Sequence, residues 1–211
     1  MQLVLASNNA KKLQELQALL AGLPVQLVTQ GSLGVDEAEE PHITFVENAL
    51  AKARHAAAAT GLPAMADDSG LCVDALGGQP GVQSAIYAPL VVPPGCDREA
   101  RRALQDEANN ALLLHRLTAV PAPRQARFVC ALVALRHAQD PEPLIAFGRW
   151  DGQILLHGQG QGGFGYDPLM FIAEFDRTVA QLDPGLKNAR SHRALAAAQM
   201  QLLMRSAWRL G

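Results

Sequence analysis

The chain has 211 residues, 49% hydrophobic and 18% charged, with a formal net charge of −2. That length fits one domain with a substantial core, and no segment is polar enough to read as disordered. The slightly acidic balance argues against a non-specific nucleic-acid binder or an anionic-membrane binder, and no apolar run reaches the roughly 18 residues of a membrane span.

Gln2–Ala6 is a short apolar run and predicts a buried strand. The opening MQLVLASNNAKK has neither a charged n-region nor a long apolar stretch, so no signal peptide is expected. Ser7, Asn8 and Asn9 are good helix caps, and Leu13, Leu16, Leu19 and Leu20 follow at helical spacing up to Gly22. Val25–Thr29 predicts a second strand, so the chain opens β-loop-α-β, the mark of an α/β fold. Gly31–Pro41 is an acidic loop, and Thr44–Ala59 a strong helix closed by Gly61 and Pro63. Ala64–Ala66 and Leu71–Leu76 look extended on either side of an Ala66-Asp-Asp-Ser-Gly70 turn. Pro89–Gly95 is irregular, and Asp97 caps a helix running to about Ala119. Arg127–Leu135 and Leu144–Trp150 predict a hairpin, with Asp151-Gly152 as a further turn and Gln153–His157 as a third strand. Gly158–Gly165 is a glycine-rich loop, and a last helix runs from about Ser191 to Trp208. No linker is evident, so 1–211 is expected to form a single domain. Cys72, Cys96 and Cys130 are odd in number and widely spaced, which argues against a disulfide framework or a zinc site and points to a cytoplasmic setting.

Four stretches can carry chemistry. Ser7-Asn-Asn-Ala-Lys-Lys12 offers a helix N-terminus and two lysines to a phosphate, or is a plain capped helix; it lacks the P-loop glycines. Gly158–Gly163 formally matches G-x-G-x-x-G, but the Phe164-Gly-Tyr-Asp-Pro168 that follows does not continue as a dinucleotide-binding helix. What remains is an aromatic that can stack on a nucleobase, or core filler. Lys187-Asn-Ala-Arg-Ser-His-Arg193 places cations in the first turn of the last helix, against its dipole, which suggests an anion or ligand nearby or is simply a solvated cap on Ser191. Asp36, Glu37, Glu39, Glu40, Glu47, Asp67, Asp68 and Asp74 form an acid set without His or Cys partners, suited to a hard cation such as Mg²⁺ or simply solvated in its loop part.

In this order, LASNNAKKLQEL, EEPHITFVENALAKARHA, ADDSGLCVDALGGQPGVQSA, QARFVCALVAL, GGFGYDPLMF and KNARSHRAL resemble the inosine triphosphate pyrophosphatase family across nearly the whole chain. The resemblance implies an elongated central mixed β-sheet flanked by helices, with two lobes around a nucleotide-binding cleft. It also implies hydrolysis of ITP, dITP and XTP between the α and β phosphates, a need for Mg²⁺, and a homodimer. Carried over residue by residue, it marks Ser7, Asn8, Asn9, Ala10, Lys11 and Lys12 as the phosphate loop, with Lys52 facing the phosphates. Glu40 (or the adjacent Glu39) and Asp68 would be metal ligands, Asp68 also the general base, and Ser69 a substrate contact. Phe164, Gly165, Tyr166 and Asp167 would form the base-binding loop, joined by Lys187, His192 and Arg193. Two positions depart from the family pattern: Ile86 stands where an arginine is common, and Leu186 where an acid often precedes the lysine. A related enzyme acting on modified pyrimidine triphosphates and a non-catalytic nucleotide sensor are the alternatives.

Overall fold

The computed structural model describes residues 1–92 and 95–210, and only the backbone of Lys11 and Arg98. β1 (Gln2–Leu5), α1 (Ala10–Leu19) and β2 (Gln26–Thr29) form the β-α-β opening read in the sequence, with β1 and β2 parallel and Leu3 opposite Leu27. α2 (Phe45–Thr60) starts at Thr44, whose hydroxyl accepts the Glu47 N–H, and stops at Gly61, which takes a left-handed φ of 69°. β3 (Ala64–Val73) pairs parallel with β1. α3 (Arg98–Arg116), β4 (Gln125–Leu135), β5 (Leu144–Ile154), β6 (Met170–Ile172), β7 (Arg177–Thr178), α4 (Pro184–Arg190) and α5 (His192–Ala207) follow. The strands form one mixed seven-stranded sheet in the order β2-β1-β3-β4-β5-β6-β7. No helix among the described residues is long and apolar enough to cross a membrane.

Two local expectations are corrected. Ala66–Gly70 is not a turn but the middle of β3; turn propensity of Asp and Ser yields to tertiary partners for both carboxylates. Asp151-Gly152 is not a turn either, since β5 runs through it, and no separate strand spans Gln153–His157. A Cβ on Gly152 would lie 2.5 Å from the Phe171 carbonyl oxygen, so the glycine serves close approach of β6 rather than chain reversal. The irregular stretch read at Pro89–Gly95 contains Pro93 and Pro94, which lie outside the described residues.

The chain divides into two compact units, residues 1–69, 129–149 and 188–211, and residues 70–128 and 150–187. In the first unit, strand alternation sorts the core into two layers. Leu3, Leu5 and Met65 pack with Leu16 of α1, with Leu20 just after it, and with Ala196, Ala197 and Met200 of α5. Val4, Ala6, Ala64 and Ala66 point the other way and pack with Ala49, Ala53, Ala56 and Ala57 of α2. In the second unit Leu71, Val73, Leu113, Leu117, Phe128, Trp150, Tyr166 and Met170 form the core. There Asn109 of α3 is buried, accepts the Ala88 N–H and donates to the carbonyls of Ser84 and Ala85, which ties the loop after β3 to the helix.

α5 approaches β5 so closely that only glycine fits at 148, where a Cβ would lie 1.7 Å from the His192 carbonyl oxygen and 2.6 Å from the Ala196 nitrogen. Gly148→Ala is expected to cost about 1–3 kcal/mol through forced displacement of backbone rather than of a yielding side chain. Urea unfolding checks this, and an unchanged midpoint would refute the contact.

Candidate active site

The alternation that sorts the core also separates the paired acids of β3. Asp67 and Ser69 share a face with Met65, and Asp68 shares the opposite face with Ala64 and Ala66. On the α1/α5 side, Lys12 Nζ donates to Asp67 Oδ1 at 3.0 Å. Arg193, nearly fully buried, reaches Asp67 Oδ2 at 3.5 Å, Ser69 Oγ at 3.2 Å and Glu15 Oε2 at 2.7 Å. On the α2 side, Lys52 Nζ donates to Asp68 Oδ1 and to Glu40 Oε2, both at 3.0 Å. Asn48, one helical turn before Lys52, donates to Asp68 Oδ2 at 3.4 Å and holds the His42 backbone through both ends of its amide.

These settings drive the two carboxyls apart in acidity. Burial opposes ionisation of Asp67, but the charges of Lys12, Arg193 and Lys52 outweigh it and hold its pKa well below the usual carboxylate range. For Asp68 burial dominates, the Lys52 ammonium opposes it, the neighbouring Glu40 carboxylate adds to it, and the pKa is pushed up to about 6. Burial works against the Lys52 charge as well, yet the carboxylates of Asp68, Asp67 and Glu40 raise its pKa above the ordinary value. The site therefore holds one permanently ionised acid, one acid poised near neutrality and a fixed ammonium.

The residues that the resemblance marks as a phosphate loop lie beside this cluster. Asn9 Oδ1 accepts the Lys12 N–H, Ser7 Oγ accepts the Asn9 N–H, and exposed Ala10 opens α1. Asn8 Oδ1 instead accepts the Gly31 N–H at 2.8 Å, fastening this turn to the start of the acidic loop. The Lys11 side chain lies outside the described residues. Ala6, Ser7, Lys12, Gln30, Glu37, Ala38, Glu40, Lys52 and Asp67 line one pocket of about 90 Å³. Of the adjacent glutamates Glu39 and Glu40, Glu40 reaches Lys52. His192, half-buried, opens α5 after the Ser191 cap.

A second group lies in the second unit. Phe164 is 42% exposed, with Lys187 Nζ 4.5 Å from its ring centre. Asp167 Oδ2 accepts from Lys187 Nζ at 2.6 Å and from the Phe164 N–H at 2.9 Å. Gly165 takes a left-handed φ of 60°. Tyr166 turns inward, its hydroxyl donating to the Ser84 carbonyl at 2.9 Å. Ile86 is exposed, while Leu186 packs against the core of this unit.

Sequence reasoning passed over Glu15 and Asn48 as site residues, and it read Asp67 only as one of the acid set. Asn48 and Lys52 share one face of α2, and Lys12 and Glu15 one face of α1, so helical spacing alone could have paired them. Asp68 and Glu40 offer hard oxygen donors that converge on a single point, the Lys52 ammonium. No cluster of three metal-binding side chains occurs among the described residues. Mg²⁺ is commonly held by one or two carboxylates plus water and substrate phosphates, so this pair fits it.

A family model described as the Ham1 family matches residues 3–202. The chain is 68% identical to a protein named dITP/XTP pyrophosphatase from Leptothrix cholodnii, over all of both chains. It is also 68% identical to one of the same name from Methylibium petroleiphilum, over 99% of both. Among solved structures, a HAM1 protein from Coxiella burnetii superposes with a TM-score of 0.87 at 41% identity, over 97% of this chain and 98% of the other. The Staphylococcus aureus Ham1 protein gives 0.83 at 32% identity, over 98% and 100%. With the fold, the β3 acids and these matches in agreement, the chain belongs to the Ham1 family.

Proposed function

We propose that this protein hydrolyses the deaminated purine nucleoside triphosphates ITP, dITP and XTP to the monophosphate and pyrophosphate, clearing them from the nucleotide pool. The observation that carries this reading is the Lys52 ammonium fixed between Asp68 and Glu40 beside a pocket lined by Lys12. The relatives' name, dITP/XTP pyrophosphatase, supplies the substrate class.

In the proposed step a water oxygen attacks the α-phosphorus. The bond from that phosphorus to the α-β bridging oxygen breaks, and pyrophosphate leaves with the bond's electron pair. Asp68 accepts the water's proton as general base. Lys12, Lys52 and the N-terminus of α1 offset the charge of the triphosphate and of the leaving group. Glu40 and Asp68 would hold Mg²⁺, which when bound supplies further positive charge to the phosphate oxygens. Ser69 is assigned to substrate contact, held in place by Arg193. Phe164 offers a ring face for the purine, with Lys187 and Asp167 fixing its surroundings. Discrimination against adenine is assigned to a donor of His192, which a 6-amino group would leave unpaired, while Arg193, expected from the resemblance to join the base-binding group, is buried among Glu15, Asp67 and Ser69 and acts by holding Ser69. A cytoplasmic homodimer, acting on a small-molecule substrate without nucleic acid or membrane, completes the proposal.

Incubation with Mg²⁺ and ITP, XTP, dITP, GTP or ATP separately, with ion-exchange analysis of products, is expected to yield monophosphate and pyrophosphate from the first three and little from the last two. Orthophosphate and a nucleoside diphosphate would place attack at the γ phosphate and overturn the mechanism. Asp68→Asn is expected to lower kcat by about 10²–10⁴-fold while nucleotide binding persists. Near-wild-type turnover in that variant would remove Asp68 from the role of base.

A further inference from the structure

The loop that carries Phe164 is held by α3, a helix that none of the sequence motifs touched. Arg102, Asp106 and Asn110 follow one another at four-residue steps and so share one face of α3. Each of the three meets the loop. Asp106 Oδ2 accepts the Gly165 N–H at 2.8 Å, and Asn110 Nδ2 donates to the Gly165 carbonyl at 2.9 Å. The guanidinium of Arg102 lies 5.7 Å from the Phe164 ring centre. Gly165 is thus gripped at both its N–H and its carbonyl while it holds a left-handed conformation. From inside the loop, Asp167 takes the Phe164 N–H and is itself fixed by Lys187.

A loop of this kind has few apolar anchors of its own: Tyr166 is buried, but Phe164 is half out in solvent. Left to itself an exposed aromatic samples several rotamers, and ordering it on binding costs free energy. Two hydrogen bonds to one residue, gripping the peptide units on either side of it and one of them to a carboxylate, remove that freedom beforehand. A cation near the ring adds a contact that depends on the ring's orientation.

The geometry points to Arg102, Asp106 and Asn110 as positioning residues that preset the Phe164 platform and so set affinity for the nucleobase part of the substrate. This rests on the proposed function, in which Phe164 receives the purine. The three residues touch the loop rather than the phosphates, so their effect is confined to ligands that carry a base.

Calorimetric titration with IMP and, separately, with pyrophosphate tests this, pyrophosphate being the probe without a base. Asp106→Ala is expected to weaken IMP binding about tenfold, the scale of one lost hydrogen bond to a charged group, and to leave pyrophosphate binding within about twofold. Asp106→Asn keeps an oxygen acceptor for the Gly165 N–H and is expected to restore IMP affinity to within about threefold of wild type. Asn110→Ala is expected to act in the same direction as Asp106→Ala. IMP affinity unchanged in Asp106→Ala, or IMP and pyrophosphate affinities falling together, would overturn the inference. A wild-type protein that neither binds IMP nor cleaves ITP would instead overturn the functional proposal on which it rests.

Discussion

The structure of the first unit depends on how β3 carries two adjacent carboxylates through a core. Side by side on one surface, Asp67 and Asp68 would repel in a medium that screens poorly. The pleat removes the conflict by sending them to opposite faces, each into its own set of cations. Asp67 meets Lys12 from α1 and Arg193 from α5, and Asp68 meets Lys52 from α2. Three helices are thereby keyed to one strand by charge as well as by apolar packing. A buried pair of this sort contributes modest net stability, since desolvation offsets attraction, but removing one partner is severe. It acts on register: a one-residue slip of β3 would turn each acid toward the wrong helix.

The same arrangement yields chemistry because the two environments are unequal. Asp67 has two close cationic partners and the more distant Lys52, and stays ionised. Asp68 shares Lys52 with Glu40, so one positive charge serves two carboxylates and burial prevails. In the proposed mechanism, two neighbouring acids in such unequal surroundings divide the roles of fixed charge and proton acceptor. The division follows from helix geometry, with Lys12 in the first turn of α1 and Lys52 in the middle of α2.

Much of this was legible in the sequence, for reasons that differ along the chain. The Ser191 cap, the helix beginning about Thr44 and the β-α-β opening are local and follow from capping and periodicity. The Ham1 match agrees with the family resemblance carried by ADDSG, FGYDP and SHR, because those stretches combine chemistry with spacing. The acids of β3 misled as a turn because Asp-Asp-Ser-Gly is turn-like in isolation, and the lysines and arginine that permit it in a strand lie far away in sequence. Asp151-Gly152 misled in the same way, since the glycine answers to the Phe171 carbonyl rather than to its own neighbours. β6, β7 and α4 were too short to show a period. Asp106 and Asn110 were invisible because nothing in a single helix tells which polar residue will find a distant partner.

Gly148 shows how far the site depends on residues without chemistry of their own. It has no side chain to offer, and the face it shares with Leu144 and Ala146 is packed by Ala196, Ala197 and Met200. Its contribution is distance. Because no Cβ intervenes, the first turn of α5 rests directly on β5, with the His192 carbonyl in the space a side chain would need. Arg193 is the next residue along that turn, and from there its guanidinium reaches Ser69, Asp67 and Glu15 together. A helix lifted by the width of a methyl group would stretch an Asp67 contact that already stands at 3.5 Å beyond hydrogen-bonding range. The ionised state of Asp67 would then rest mainly on Lys12, the cation that the proposed mechanism also directs at the triphosphate. Under the proposed mechanism, close packing at a glycine thus leaves Lys12 available to substrate by giving Asp67 a second, buried counter-ion.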